Sequence, residues 1–325
     1  MGQPLQSFPA SINEDFVKLG IEPQHIPFIL ATISRTEQLP SGSPPLSPRE
    51  AKELVEILDK AVSSKSFSQD LKERFSKILC QVCRSNNVLP TSYSASGVVP
   101  GERHALGAFA DIYKGQYEGK LVCIKAFRTQ TTKNMELIKR RLHCEILGWK
   151  HMSHPNVLPF LGISEIPPPF CIISPWMPNG NIVEYTKKNR SSNRLLLLSQ
   201  SACGLQYLHS LDIVHSDINP GNILVTEEGV ACLADFGISG IVTDPSVVAP
   251  GSTTTSKGGL VRYMAPEQMN PSRFGRANSN PSKESDVHSL AMTAYEVTFS
   301  CLTVGTAKDF LLLSGPHGDQ AIRRQ

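Results

Sequence analysis

Apolar residues recur twice at helical spacing in the first third of the chain. Ala51, Leu54, Val55, Leu58, Ala61 and Val62 make one stripe; Leu71, Phe75, Ile78, Leu79 and Val82, with Cys83 beside them, make the other. Ser47 stands in the N-cap place before the first stripe, Pro48 takes the first helical position, and Glu50 completes a capping box. Two such helices joined by the Ser-rich stretch 63–68 predict a helical hairpin over 49–84. Each stripe must be covered, by the other or by a neighbour, so the hairpin reads as a structural appendage or as a module that binds a partner. Residues 1–37 hold only short apolar patches, Phe16 to Leu19 and Phe28 to Leu30, and are expected to be weakly structured. Residues 38–48, QLPSGSPPLSP, carry four prolines that fix φ and withhold backbone donors, and read as a linker. Residues 85–102 read as a second linker.

From about Arg103 the pattern shortens. Ile112 to Tyr117 and Leu121 to Phe127 predict strands around a turn at Glu118-Gly119, and residues 133–150 predict a helix. After Asn181 the chain reads as mostly helical. Two short strands, Asn222 to Val225 and Val230 to Ala234, flank a turn at Glu228-Gly229. A strand-rich half followed by a helix-rich half predicts an α+β protein of two lobes.

Composition narrows the function more than the fold. The 325 residues are 40% hydrophobic and 19% charged, enough for a buried core. The net charge of +3 leaves no basic footprint, so no nucleic-acid partner is expected. No apolar run approaches the roughly 18 residues of a membrane span, and the amino terminus lacks the basic and apolar regions of a signal peptide, so no membrane partner is expected. The eight cysteines lie in apolar segments without framework spacing, as buried thiols in a reducing, cytoplasmic setting would. Cys80 and Cys83 form a C-x-x-C with no second pair nearby and read as one helix face.

The chemistry starts from charge. Asp217 and Asp235 stand at loop ends beside apolar strands, where a carboxylate needs a partner or a metal. Asn222 follows Asp217 by five residues in HSDINPGN, and Asp235 opens the triplet Asp235-Phe236-Gly237. Two carboxylates and a carboxamide make a hard oxygen site suited to Mg²⁺ and a triphosphate. Lys125 closes the strand VCIK and could reach phosphates at a strand edge; Glu145, in RLHCEIL, lies on a helix and could pair with it.

The ordered set VCIK, a helix Glu, HSDINPGN, ADFG, APE and then Ser-Asp-Val on a helix resembles the eukaryotic protein kinase domain. The phrases GAFADIYKGQYEGK, ACLADFGIS and RYMAPE, with the hairpin before them, are similar to fungal (basidiomycete-type) kinases of the tyrosine-kinase-like group. The resemblance covers residues 103–300. It implies a bilobal protein-kinase-like fold, with a β-rich N-lobe and a helical C-lobe, preceded by the hairpin. It also implies ATP and Mg²⁺ as cofactors, a protein substrate, and transfer of the γ-phosphate to a hydroxyl, serine or threonine before tyrosine. In that scheme Lys125 holds the α- and β-phosphates and Glu145 fixes Lys125 by an ion pair. Asp235 and Asn222 bind the metals, and Asp217 accepts the substrate proton. Ala105, Leu106, Gly107, Ala108, Phe109 and Ile112 correspond to the glycine-rich loop over the nucleotide. Ser174 would stand at the back of the adenine pocket, with Pro175, Trp176 and Met177 as its hinge. His215 would pack under Phe236, and Asp286 would anchor the HSD backbone from a buried helix.

Several positions depart from the family pattern. Only one glycine of the loop survives, Gly107, and alanine costs of order 1 kcal/mol where φ is positive, which predicts weaker nucleotide binding. The Arg of H-R-D is Ser216, and the lysine two residues after the Asp is Asn219. Residues 301–325 match no later element of the family, so the resemblance implies a C-lobe lacking its last helices and a divergent tail. Two readings stand: an ATP-dependent protein kinase, or a pseudokinase that binds nucleotide weakly or not at all and acts as a scaffold through its hairpin.

Overall fold

In a computed structural model the described residues are 8–38, 46–106, 110–127, 139, 146–167, 170–236 and 261–299. The first helices are α1 (Ile12–Lys18), α2 (Ile26–Gln38), α3 (Pro48–Ser63) and α4 (Gln69–Asn86). Helix α3 starts on a reciprocal capping box between Ser47 and Glu50, and α4 on Ser68, whose hydroxyl accepts from the Leu71 N–H. Both stripes turn inward: Ala51, Leu54, Val55, Leu58 and Ala61 are buried on α3, and Phe75, Ile78, Leu79, Val82 and Cys83 on α4.

The expectation for residues 1–37 is corrected. Helices α1 and α2 complete the cover of the hairpin: Phe16 and Ile33 are fully buried, and Phe16 meets Phe67 with ring centroids 5.2 Å apart. Burial of Phe16 contributes about 2–3 kcal/mol, and Ile12, one turn earlier on the same face, adds to it, so packing against the hairpin helps hold a short helix that would not stand alone. Most of the Pro-rich linker, residues 39–45, lies outside the described residues. Cys80 is disulfide-bonded, and the other described cysteines are free; the expectation of buried thiols throughout therefore fails at Cys80 and at exposed Cys203.

Residues 85–102 are not a linker. A 3-10 turn at Thr91–Tyr93 buries Tyr93 completely, Ala95 donates its N–H to Ile163 O at 2.8 Å, and Val99 opens a strand. The sheet holds β1 (Val99–Leu106), β2 (Ala110–Tyr117), β3 (Lys120–Phe127), β4 (Gly162–Ser164) and β5 (Cys171–Pro175), in the order β1-β2-β3-β5-β4, with antiparallel neighbours. Glu118 and Gly119 have φ of 49° and 74°, the two left-handed positions a tight hairpin turn requires.

Alternation along β3 sets the site. Val122, Ile124 and Ala126 face the core with Cys171 and Ile173, which leaves Cys123 and Lys125 together on the opposite face.

Residues 146–150 are helical, and then come α5 (Ile182–Lys188) and α6 (Arg194–Ser210). The pair β6 (Ile223–Val225) and β7 (Ala231–Leu233) follows, with α7 (Pro266–Met269) and α8 (Lys283–Phe299) last. A five-stranded sheet followed by helices around a small second sheet is the expected α+β, bilobal arrangement, preceded by a helical unit.

Candidate active site

The two strands that approach the site bring opposite charges. Lys125 ends its turn on the open face of β3, and Asp235 lies just past β7. Lys125 Nζ and Asp235 Oδ2 are 2.6 Å apart, with side chains 21% and 33% exposed. Asp235 has φ of 63°, a left-handed conformation for a residue with a Cβ, held by the chain around it. Ala234 donates its N–H to Asn222 O at 2.8 Å, so the Asp235 loop is tied to the turn Pro220–Asn222.

Asp217 is held by two carboxamides. Asn222 Nδ2 donates to Asp217 Oδ2 and to its carbonyl, both at 2.8 Å; Asn219 Nδ2 donates to Asp217 Oδ1 and to the same carbonyl, both at 3.1 Å. Asn219 Oδ1 in turn accepts from the Gly221 N–H at 2.9 Å. Sequence reasoning read Asn219 only as a missing positive charge. Its orienting bond to Asp217 was missed, although Asn followed by Pro-Gly is a turn signal.

Beneath this loop, Asp286 of α8 is 1% exposed and accepts three bonds. They come from the His215 N–H at 2.7 Å, the Ser216 N–H at 2.9 Å and His209 Nε2 at 2.9 Å. Ser216 has φ of 69°. His215 is fully buried, with its ring 6.2 Å from that of Phe236. Burial lowers its pKa, against the charges of Asp286, Asp217 and Asp235, which act to raise it. A neutral imidazole wedged against Phe236 suits packing rather than proton transfer.

The aromatic contacts continue: Phe236 meets Trp149 at 4.8 Å, Trp149 meets Phe160 at 5.5 Å, and Phe160 meets Tyr93 at 6.1 Å. This row crosses from the HSD loop to the segment before the sheet. No sequence period announces it, because each ring comes from a different element.

Ser174 pairs with Cys123 across β3 and β5 and is 7% exposed. Burial pushes the Cys123 thiol up to about 11; the Asp235 charge adds to the rise, and Lys125 and Ser174 oppose it. Cys123 is therefore a wall of the same site, and the alternation back from Lys125 was the signal that could have found it. Pro175 ends β5, Trp176 donates its N–H to Leu121 O at 3.2 Å, and the ring of His104 stands edge-on to Trp176 at 4.8 Å. The Met177 carbonyl accepts from the Gly180 N–H at 3.1 Å.

Ala105 pairs with Ile112, and Ile112 pairs with Lys125, so the loop's base and the lysine share one row across three neighbouring strands. Leu106 is 64% exposed. Neither Ala105 nor Ala110 has a positive φ, which removes the backbone cost expected of alanine there; both are strand residues. Gly107, Ala108, Phe109 and Glu145 lie outside the described residues, as do residues 237–260 and 300–325.

No described helix is long and apolar enough to cross a membrane, and the described residues contain no cluster of three or more His, Cys, Asp or Glu side chains able to hold a metal. The donor set still fits Mg²⁺, which takes one or two protein oxygens and completes its shell with phosphates and water. Asn222 turns its Nδ2 to Asp217, so its Oδ1 is the group left to act as a ligand.

The sequence profile of the family described as protein tyrosine and serine/threonine kinase matches residues 101–306. The chain is 30% identical over 171 residues to serine/threonine-protein kinase STY46 of Arabidopsis thaliana, covering 51% of this chain and 28% of that protein. It is 29% identical over 211 residues to serine/threonine/tyrosine-protein kinase HT1 of the same plant, covering 62% and 50%. It is 30% identical over 225 residues to TGF-beta receptor type-2 of Rattus norvegicus, covering 63% and 38%. The chain thus spans half or less of the length of these relatives. A profile match from Gly101 of β1 through both carboxylate loops, on the bilobal architecture described, places the chain in the protein kinase family.

Proposed function

We propose that this chain transfers the γ-phosphoryl group of Mg-ATP to a protein hydroxyl, serine or threonine in the first instance. The observation that carries the reading is the 2.6 Å approach of Lys125 to Asp235, which gathers a cation and a metal-binding carboxylate from two distant segments into one cleft. The Lys125 ammonium would leave Asp235 for phosphate oxygens, on the face of β3 that also bears Cys123. Asp235 and Asn222 would hold Mg²⁺, which supplies neutralisation of the charge spread over the phosphoryl oxygens. Asp217, aimed by Asn219 and Asn222, would accept the proton of the acceptor hydroxyl and set it in line with phosphorus. Asn219 brings no cation to the γ-phosphate, and this favours slower transfer than a lysine there would allow. The pseudokinase reading draws on the same residue.

The test is thermal shift with Mg-ATP, then transfer to a generic protein acceptor, for the natural chain and Asp235→Asn. Stabilisation by Mg-ATP with transfer that falls by about a hundredfold or more in Asp235→Asn is expected. Binding without transfer by the natural chain selects the scaffold; neither binding nor transfer removes the kinase reading for this chain.

A further inference from the structure

Helix α3 carries a buried acid near its C-terminal end. This is Asp59, with its side chain 7% exposed. A carboxylate at that depth needs compensating groups, and they come from two other segments. Ser92 Oγ donates to Asp59 Oδ2 at 2.6 Å. Lys150 Nζ stands 3.6 Å from the same oxygen, donates to Ser92 Oγ and lies 4.1 Å above the Tyr93 ring. His151 Nε2 faces Asp59 Oδ1, which is buried without a hydrogen-bond partner, at 3.8 Å. The Tyr93 hydroxyl donates to Leu147 O and meets His151 Nε2, both at 3.3 Å. One turn nearer the start of α3, Glu56 accepts from the Thr91 N–H at 2.6 Å and from the Thr91 hydroxyl at 3.0 Å.

These contacts fasten three pieces of chain to each other: α3, the turn Thr91–Tyr93, and the end of helical residues 146–150. The last piece reaches the catalytic cleft. Trp149, between Leu147 and Lys150, is 3% exposed, donates Nε1–H to Leu158 O at 3.0 Å and packs edge-on against Phe236. Phe236 is bonded to Asp235, the partner of Lys125.

We infer that Asp59 is a positioning residue for phosphoryl transfer: by holding Ser92, Lys150 and His151 it fixes the Trp149–Phe236 contact, and with it the place of Asp235. The hairpin is then a fixed part of the catalytic unit and not a free module on a tether. The inference rests on the proposed kinase activity for its kinetic consequence; the mechanical link stands apart from it. Because Asp59 touches no reacting atom, its loss acts on the geometry of the cleft, so kcat carries the effect and the KM for ATP moves little.

The experiment compares the natural chain, Asp59→Ala, Asp59→Asn and the control Glu53→Ala, an exposed position on the same helix. Amide hydrogen exchange and steady-state kinetics with Mg-ATP are read on each. For Asp59→Ala, faster exchange is expected at 146–151 and at 233–236, and kcat lower by about tenfold or more, with the KM for ATP within about twofold. Asp59→Asn keeps the volume and the Ser92 bond but loses the charge beside Lys150, and falls between; if the alanine variant does not fold, it carries the same test. Glu53→Ala is expected to match the natural chain. Faster exchange confined to α3 and α4, with unchanged kcat, overturns the inference, as does a loss of kcat matched by Glu53→Ala. Should the natural chain transfer no phosphate, the proposed function fails on its own. The exchange at 233–236 then decides whether Asp59 reaches the cleft.

Discussion

Replacing Asp286 by alanine tests how the loop His215-Ser216-Asp217 is held. The carboxylate is 1% exposed, and its two oxygens take the N–H groups of His215 and Ser216 as well as His209 Nε2. Removing the acceptor leaves one buried and one part-buried backbone donor and a ring nitrogen unpaired. At about 1–3 kcal/mol for each stranded donor, less what water entering the vacated space recovers, the cost is about 3–5 kcal/mol. Asparagine keeps one acceptor oxygen and turns an amide towards the second donor, so about half the loss is expected. Ser216 supplies a cross-check. Its φ of 69° costs about 1–2 kcal/mol in a residue with a Cβ, against about 0.5–1 kcal/mol of extra unfolded-state entropy for glycine. Ser216→Gly should therefore stabilise the natural chain by between about 0 and 1.5 kcal/mol. With Asp286 gone, nothing pins that conformation, and the gain should vanish. Urea unfolding of the two single variants and the double variant measures the coupling. A cost below about 1 kcal/mol for Asp286→Ala, or additivity of the pair within about 0.3 kcal/mol, would refute the reasoning.

Gly204→Ala should reverse the usual sign of a glycine-to-alanine change inside a helix. Such a change ordinarily gains about 1 kcal/mol, but a Cβ at this place on α6 would press into the Asn156 carbonyl, which accepts the Leu233 N–H at 2.9 Å and cannot retreat. A loss of about 1–3 kcal/mol is expected, and a higher Tm in thermal unfolding would contradict it. The second prediction concerns acid. Burial lowers the pKa of His151, with Lys150 acting the same way and Asp59 opposing. The folded state therefore disfavours its proton. Stability is complete above the usual histidine value near 6.5 and is lost as pH falls below it, where the unfolded chain takes up the proton first. One group contributes at most about 1.4 kcal/mol per pH unit, and less here because a third of the ring meets solvent. Denaturant unfolding between pH 7 and pH 5 should show a shallower decline in His151→Gln than in the natural chain. His215, lowered in the same direction, keeps the decline from disappearing; a steeper decline in the variant would count against the assignment.

Which features could be read from the sequence follows from how far apart their causes lie along the chain. The α3 cap depends on Ser47, Pro48 and Glu50, and the β2–β3 turn on Glu118 and Gly119; each is decided by neighbours within a few residues. The meeting of Lys125 with Asp235 is not local, and it was reachable only because an ordered set of motifs resembled a known domain. The errors have two causes. On α2 the residues Ile26, Ile29, Leu30 and Ile33 do form a helical stripe, which reading only short patches passes over, whereas Tyr93 of the supposed linker is a single large ring inserted between elements made elsewhere. A segment with one buried aromatic looks like a linker in the sequence, because what fixes it is a cavity supplied by other residues. The same reasoning explains why the hairpin was read as separable. Its two stripes can cover each other, so the sequence leaves open whether a neighbour is needed, and the structure adds α1 and α2 to their cover. The buried charge of Asp59 sits beside those stripes, and only the cost of an unpaired carboxylate reveals that Ser92 and Lys150 must be there to meet it. For this chain, then, apolar periodicity identified the elements, and buried polar groups such as Asp59 and Asp286 determined how those elements are joined.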